Sequence, residues 1–207
     1  MIKKLFQAAM LVFAMSAFSS AAHAQANGYE ELPNPPKKAD ENRVEVLEYF
    51  WFGCPHCYAF EPTINGWAAD KPDHVDFVRE APPLNPAWTP HSQAYYASQV
   101  LGIQEEFFEP FFNAIHKEKK RLASPKQISK WAGNLGIDGV DEEKFLKTMS
   151  SFAVDAKIRR SMEMARADGI NSVPSVVIDR RYKTSGSVAG SNERVVDVIR
   201  ALSEKKS

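Results

Sequence analysis

The sequence predicts an α/β protein whose mixed β-sheet domain is interrupted by a long all-helical insertion. Three observations carry this. Residues 44–79 show a strand–helix–strand pattern, residues 174–203 read as a hairpin followed by a helix, and helical periodicity fills most of the stretch between them. The 207 residues are 44% hydrophobic and 25% charged, which excludes a disordered chain. Lysine plus arginine number 26 and aspartate plus glutamate 26, so no net field favours nucleic acid or an anionic membrane surface. The 10 glycines and 13 prolines follow no period, which excludes collagen and solenoid repeats.

Residues 1–24 stand apart from the fold. Lys3 and Lys4 precede an apolar stretch from Leu5 to Phe18, and Ala22-His23-Ala24 supplies a small-x-small cleavage pattern. A membrane span needs about 20 apolar residues, yet Gln7 and Ser16 interrupt this stretch. A secretory signal peptide is the expected reading. Its removal leaves a mildly acidic exported chain.

Residues 44–52 put Val44, Val46, Glu48, Phe50 and Phe52 on one face of a strand and Glu45, Leu47, Tyr49 and Trp51 on the other. Both faces are largely apolar, as in a strand buried on two sides. Gly53 ends it. From Cys54 onward, Cys57, Phe60, Ile64 and Trp67 recur at spacings of three or four, the stripe of an amphipathic helix, with a kink expected at Pro62. His74 to Arg79 reads as the next strand. Helices are then expected near Gln93–Gly102, Glu105–Lys117, Pro125–Leu135 and, as one long element, Glu142–Asp168. Ser124-Pro125 is a cap followed by a first-turn proline. Phe145, Met149, Phe152 and Ala156 form the apolar stripe of the last helix, and Phe107-Phe108 and Phe111-Phe112 read as insertion core. Pro174–Asp179 and Tyr182–Ser185 make the hairpin, and a helix follows from about Asn192 to Ser203. The expected segments are 25–83 and 166–207 for the sheet domain and 84–165 for the insertion.

Only two cysteines are present, Cys54 and Cys57. Bridging so short a loop stabilises by roughly 1.9 kcal/mol, against about 3 for a fifteen-residue loop, so the pair is a poor staple. Zinc would need two more soft ligands, and His56, His74, His91 and His116 lack ligand-type spacing. Redox chemistry remains. At a helix start, free amide N–H groups and the helix dipole favour a Cys54 thiolate, while Cys57, one turn on, falls on the buried stripe. Glu48 lies among apolar neighbours, where a raised pKa suits it to proton transfer with Cys57; the alternative is a hydrated residue near the sheet end.

The run Glu48-Tyr-Phe-Trp-Phe-Gly-Cys54-Pro55-His56-Cys57-Tyr58-Ala-Phe60-Glu61-Pro resembles the active-site segment of the DsbA family, the periplasmic thiol:disulfide oxidases of the thioredoxin superfamily. Ser172-Val173-Pro174-Ser175 resembles that family's cis-proline loop, and the likeness in length and order extends over nearly all of the exported chain. Gly53 departs from members carrying a bulky residue there, which bears on the surface that partners meet.

The resemblance implies a thioredoxin-like fold with the helical insertion, and an oxidase that passes a Cys54–Cys57 disulfide to exported proteins in the periplasm. It implies no metal and no cofactor beyond that disulfide. His56 would stabilise the Cys54 anion, or else remain merely solvated, and Pro55 would restrain the turn. Glu61 and Arg79 would tune the electrostatics of the pair, the alternative being plain surface charges. A cis Val173-Pro174 bond would present the Val173 backbone to substrate. Reoxidation would come from a quinone-linked membrane partner of the DsbB type, and a monomer is expected. The resemblance also implies a Cys54 so acidic that the reduced protein is the more stable form at pH 7. A disulfide isomerase or reductase is the alternative among enzymes. A redox-inert binding or chaperone module using the insertion is the alternative outside them.

Overall fold

A computed structural model of the chain describes residues 27–36 and 40–203, so the leader expected at residues 1–24 lies outside the described residues. The sheet is built around β2 (Val44–Tyr49), which is buried apart from partial exposure of Glu45. It pairs in parallel with β3 (Val75–Glu80) and antiparallel with β4 (Ser175–Ile178). β5 (Tyr182–Thr184) and a two-residue edge strand, β1 (Glu30–Glu31), complete the order β1-β5-β4-β2-β3. The β4–β5 turn has positive φ at Asp179 and Arg180, with Arg181 N–H donating to the Ile178 carbonyl at 3.0 Å. This is the primed geometry that suits the twist of a hairpin, formed here without glycine.

Each face of β2 has its own cover. Val44 and Val46 pack with Phe60, Ile64 and Trp67 of helix α1 (Pro55–Ala69) and with Val195 and Ile199 of the last helix, Asn192–Ser203. Leu47 and Tyr49 pack on the opposite face with Val177, Ala165 and Ile170. The pleat read from the sequence is therefore the pleat of the fold. Helix α1 runs as one element through Pro62.

The strand is shorter than expected: it ends at Tyr49, and after a last bond from Phe50 N–H to the Glu80 carbonyl at 3.0 Å the chain leaves the sheet. Cys54 N–H closes a turn on the Trp51 carbonyl at 2.9 Å, and Phe50 and Phe52 turn into the core of the insertion. Between β3 and β4 lie a short 3-10 turn (Pro86–Trp88) and helices α2 (Thr89–Leu101), α3 (Gln104–His116), α4 (Pro125–Gly133), α5 (Glu142–Met149) and α6 (Phe152–Ala167). The single helix expected over 142–168 is two. Ser151 stands outside both, and its hydroxyl accepts from Val154 N–H at 3.4 Å, starting a new helix as an N-cap. Phe152, expected on the buried stripe, is 81% exposed as a result. The remaining elements are α7 (Gly186–Ala189) and α8 (Asn192–Ser203).

The four phenylalanines of α3 are buried, as their pattern suggests. Phe107 and Phe111 join Phe145 and Met149 in one cluster that also takes in Phe50, Phe52, Cys54 and Cys57. The cysteine pair thus sits where the sheet domain meets the insertion. Among the described residues no helix is long and apolar enough to cross a membrane.

Candidate active site

Helix α1 begins at Pro55, and Cys54 is its N-cap, with extended backbone angles and its sulfur accepting from Cys57 N–H at 3.4 Å. Pro55 occupies the first helical position, where a missing N–H loses nothing. Pro55 and His56 are exposed, Cys57 is fully buried, and Cys54 retains 7% exposure, a narrower window than a freely exposed nucleophile. Both thiols are unbridged.

The two sulfurs are driven apart electrostatically. A hydrogen bond from the Cys57 thiol lowers the Cys54 pKa to about 6 against the opposing effect of burial, helped by the backbone N–H groups of Cys57 and His56 and by the His56 charge. Cys57 moves far upward, first through burial, then through the Cys54 sulfur beside it, with the Glu48 charge contributing. The protein therefore holds its negative charge on Cys54 when reduced. The Cys54 sulfur also lies 3.5 Å from the Val173 carbonyl, a contact in which the protonated thiol donates. Val173-Pro174 is cis, and strand β4 starts at the next residue.

Beneath the pair lies a buried ionic cluster. The β2–β3 register places Glu48 opposite Arg79, and Arg79 Nε donates to Glu48 Oε2 at 2.7 Å. Arg79 Nη2 reaches Glu61 Oε2 at 3.2 Å and Asn65 Oδ1 at 2.6 Å, while Asn65 donates to Glu61 at 3.1 Å. The guanidinium lies over the rings of both Phe77 and Phe108, 4.8 and 4.5 Å from their centroids. Glu48 is 0% exposed and Glu61 8%, so neither the hydrated alternative for Glu48 nor the surface-charge alternative for Glu61 and Arg79 describes the fold.

Two carboxylates share one arginine. Among the described residues, one oxygen of each (Glu48 Oε1, Glu61 Oε1) has no hydrogen-bond partner. Burial raises the Glu48 pKa against the pull of Arg79. Burial, then the Glu48 charge, raises Glu61 to about 8.

Four further residues frame the site without a local sequence signal. His116, the last residue of α3, stacks on Tyr58 with centroids 4.7 Å apart, and its Nε2 is 2.7 Å from the Phe52 carbonyl. His91 is buried, its Nε2 2.8 Å from the Leu122 carbonyl, and burial lowers its pKa. Trp51 stacks on Trp88 at 4.5 Å and covers Gly53 so closely that a Cβ there would lie 2.2 Å from the indole. Among the described residues no group of three or more His, Cys, Asp or Glu is arranged to hold a metal.

A helix-capping thiolate, a buried second thiol one turn on and a cis-proline beside them, set on a mixed sheet, define a thioredoxin-fold dithiol–disulfide protein. The comparisons agree. Residues 39–194 match the thioredoxin family model. The chain is 35% identical to the thiol:disulfide interchange protein DsbA of Burkholderia cepacia over 99% of its own length and 100% of the relative's. It is 36% identical to its Pseudomonas aeruginosa counterpart, over 99% of this chain and 97% of that one. A crystal structure of a P. aeruginosa DsbA variant superposes with a TM-score of 0.79 at 36% identity, covering 86% of this chain and 95% of that one. The chain belongs to the DsbA family of thiol:disulfide oxidoreductases.

Proposed function

We propose that the protein acts in the oxidising direction, giving its Cys54–Cys57 disulfide to pairs of thiols in exported proteins in the periplasm. The observation that carries this is the opposite placement of the two sulfurs, Cys54 capping the helix and Cys57 buried behind it. In the oxidised protein a substrate thiolate attacks Cys54 Sγ, the Cys54–Cys57 bond breaks, and Cys57 leaves. A second substrate thiolate then attacks the substrate sulfur of the mixed disulfide and expels Cys54 as a thiolate. Two electrons pass from substrate to protein. Low basicity makes Cys54 the better leaving group, which drives the second step forward.

Cys57 leaves into an apolar setting and needs a proton. Glu48, whose carboxyl is held above its ordinary range, supplies it, and the shared Arg79 couples Glu48 to Glu61 at the edge of the cluster. His56 adds positive charge on the solvent side of the Cys54 anion, and Pro55 fixes the turn between the sulfurs. The Val173 backbone before cis-Pro174 pairs with an extended substrate segment, as at an open strand edge.

The protein works as a monomer, with no metal and no cofactor other than its disulfide. Reoxidation falls to a quinone-linked membrane oxidase of the DsbB type. The test is mixing the oxidised protein with a reduced, unfolded exported protein and following both on non-reducing gels. Substrate should become oxidised stoichiometrically; with the remaining cysteine first activated by oxidised glutathione, so that a substrate thiolate displaces glutathione, Cys57→Ala should accumulate mixed disulfides with substrate and Cys54→Ala, its sulfur buried, should accumulate none. A protein that instead reduces substrate disulfides in a glutathione buffer, or traps equally through either cysteine, overturns the reading.

A further inference from the structure

A cleft of about 770 Å³ opens on the insertion between the end of α3 and helix α4. Its floor is apolar, formed by Trp131 and Leu135, both packed against the aromatic core. Its rim is basic. Lys120, Arg121 and Lys130 line it, and Lys120 is paired with Glu118 at 2.6 Å, whereas Arg121 and Lys130 have no ion-pair partner among the described residues. Lys117 and Lys119 stand exposed on the same loop, so four of the five residues from 117 to 121 are basic in a chain of balanced overall charge.

This loop is anchored to the active site at both ends. His116, immediately before it, contacts the Phe52 carbonyl two residues ahead of Cys54, and Leu122, immediately after it, contacts His91, which packs on Trp51 and Phe52. The cleft wall itself is continuous with the catalytic helix. Asn113 lines the cleft and accepts from the Tyr58 hydroxyl at 3.0 Å, and Tyr58 directly follows Cys57. The Tyr58–Asn113 contact thus joins the cleft wall to the helix that Cys54 caps.

We propose that this cleft receives an acidic segment of the reduced protein substrate, with one apolar side chain on the Trp131–Leu135 floor and carboxylates on Arg121 and Lys130. It would thus select among substrates by the charge flanking their cysteines. A basic rim over an apolar floor complements that chemistry, and a concave surface fits a chain segment better than the flat face of a bilayer. The proposal rests on the oxidase reading and names the substrate class for it. Opposite charges beside a binding site raise association rates by factors of ten or more at low salt.

The test uses the oxidised full-length protein and two synthetic dithiol peptides, identical except that Asp-Leu-Glu or Lys-Leu-Lys flanks the cysteines. Each rate is divided by that peptide's rate with the uncharged 2-hydroxyethyl disulfide, which removes the effect of the flanks on the thiols themselves without adding a charge of its own. The acidic peptide should react about tenfold faster. The advantage should shrink in 0.5 M salt and vanish in Arg121→Glu/Lys130→Glu. Dithiothreitol, too small to reach the cleft, should be oxidised equally by both chains, and the milder Arg121→Gln/Lys130→Gln serves if charge reversal disturbs folding. Equal peptide rates in the unmodified protein, or a preference that survives charge reversal, overturns the proposal. So does charge reversal that abolishes self-association or binding to anionic phospholipid vesicles while leaving peptide rates unchanged. Failure to oxidise dithiothreitol at all would instead count against the oxidase reading.

Discussion

His116 Nε2 lies 2.7 Å from the carbonyl oxygen of Phe52, and because a carbonyl only accepts, the imidazole nitrogen is the donor. This bond ties the end of a helix in the insertion to the turn that presents Cys54. His116→Phe keeps a ring against Tyr58 and removes the donor, leaving a part-buried carbonyl unpaired at a cost of about 1–3 kcal/mol. The Cys54 pKa should rise from about 6, because the Cys57 N–H and thiol contacts to its sulfur depend on where the turn holds it. His116→Gln, whose amide can replace the N–H, should restore it. Titration of thiolate absorbance in the three chains is the measurement, and an unchanged Cys54 in His116→Phe would reduce His116 to a packing residue.

Glu48→Gln keeps the shape of the buried cluster and removes its exchangeable proton. Oxidation of a reduced substrate should slow while the equilibrium with glutathione stays nearly constant, since a proton path acts on rate. Stopped-flow rates between pH 5 and 8, set against a redox titration, separate the two effects. A rate indistinguishable from the unmodified protein across that range would leave Glu48 without a role in turnover.

Which redox form folds more stably depends on pH. The bridge contributes roughly 1.9 kcal/mol at all pH values. The Cys54 thiolate exists only after reduction, and its folded pKa of about 6 lies below the unfolded value of about 8.5. A depressed pKa gives stability that is complete above about pH 8.5 and lost as pH falls through about 6. At pH 7 it amounts to about 1.4 kcal/mol, comparable to the bridge, and it outgrows the bridge as pH rises. The two contributions balance near pH ~7.4. Thermal midpoints should be higher for the oxidised form at pH 6 and for the reduced form at pH 8.5. Midpoints that keep one order at both values would refute the balance.

Glu61 works in the opposite sense. With a folded pKa of about 8, its carboxyl keeps a proton that the unfolded chain releases near pH ~4.3, so stability declines as pH rises between those values. Glu61→Gln retains the oxygen that meets Arg79 and Asn65 and cannot ionise. Its midpoint-against-pH curve should be flatter over that window and lie above the parent's at pH 8. Parallel curves would show that Glu61 keeps an ordinary pKa in the fold.

The parts of the fold visible in the sequence are those written in local pattern. Gly53, Pro55 and the stripe from Cys57 to Trp67 mark α1, and the last helix lies where its pattern places it, at about Asn192 to Ser203. The break at Ser150-Ser151 was hidden because Phe145, Met149 and Phe152 keep helical spacing across it, and only the capping hydroxyl reveals it. Glu48 could be suspected from its apolar neighbours, whereas its pairing with Arg79 follows from strand register, which one strand does not encode. His91 and His116 act on backbone carbonyls 31 and 64 residues away, and a carbonyl carries no residue-type signature.

Trp51 and Gly53 compete for one volume, and this fixes the order in which the two positions can change. A side chain at 53 placed first would start 2.2 Å from an indole already held against Trp88, a collision relieved only by unseating the ring. Shrinking residue 51 first vacates that space, after which position 53 accepts a Cβ freely. A lineage moving from this arrangement to one with a bulky residue before the first cysteine thus has an open route through 51 and a blocked one through 53. Libraries that randomise 53 alone will recover glycine, and those that randomise both will recover large residues at one position or the other, seldom at both.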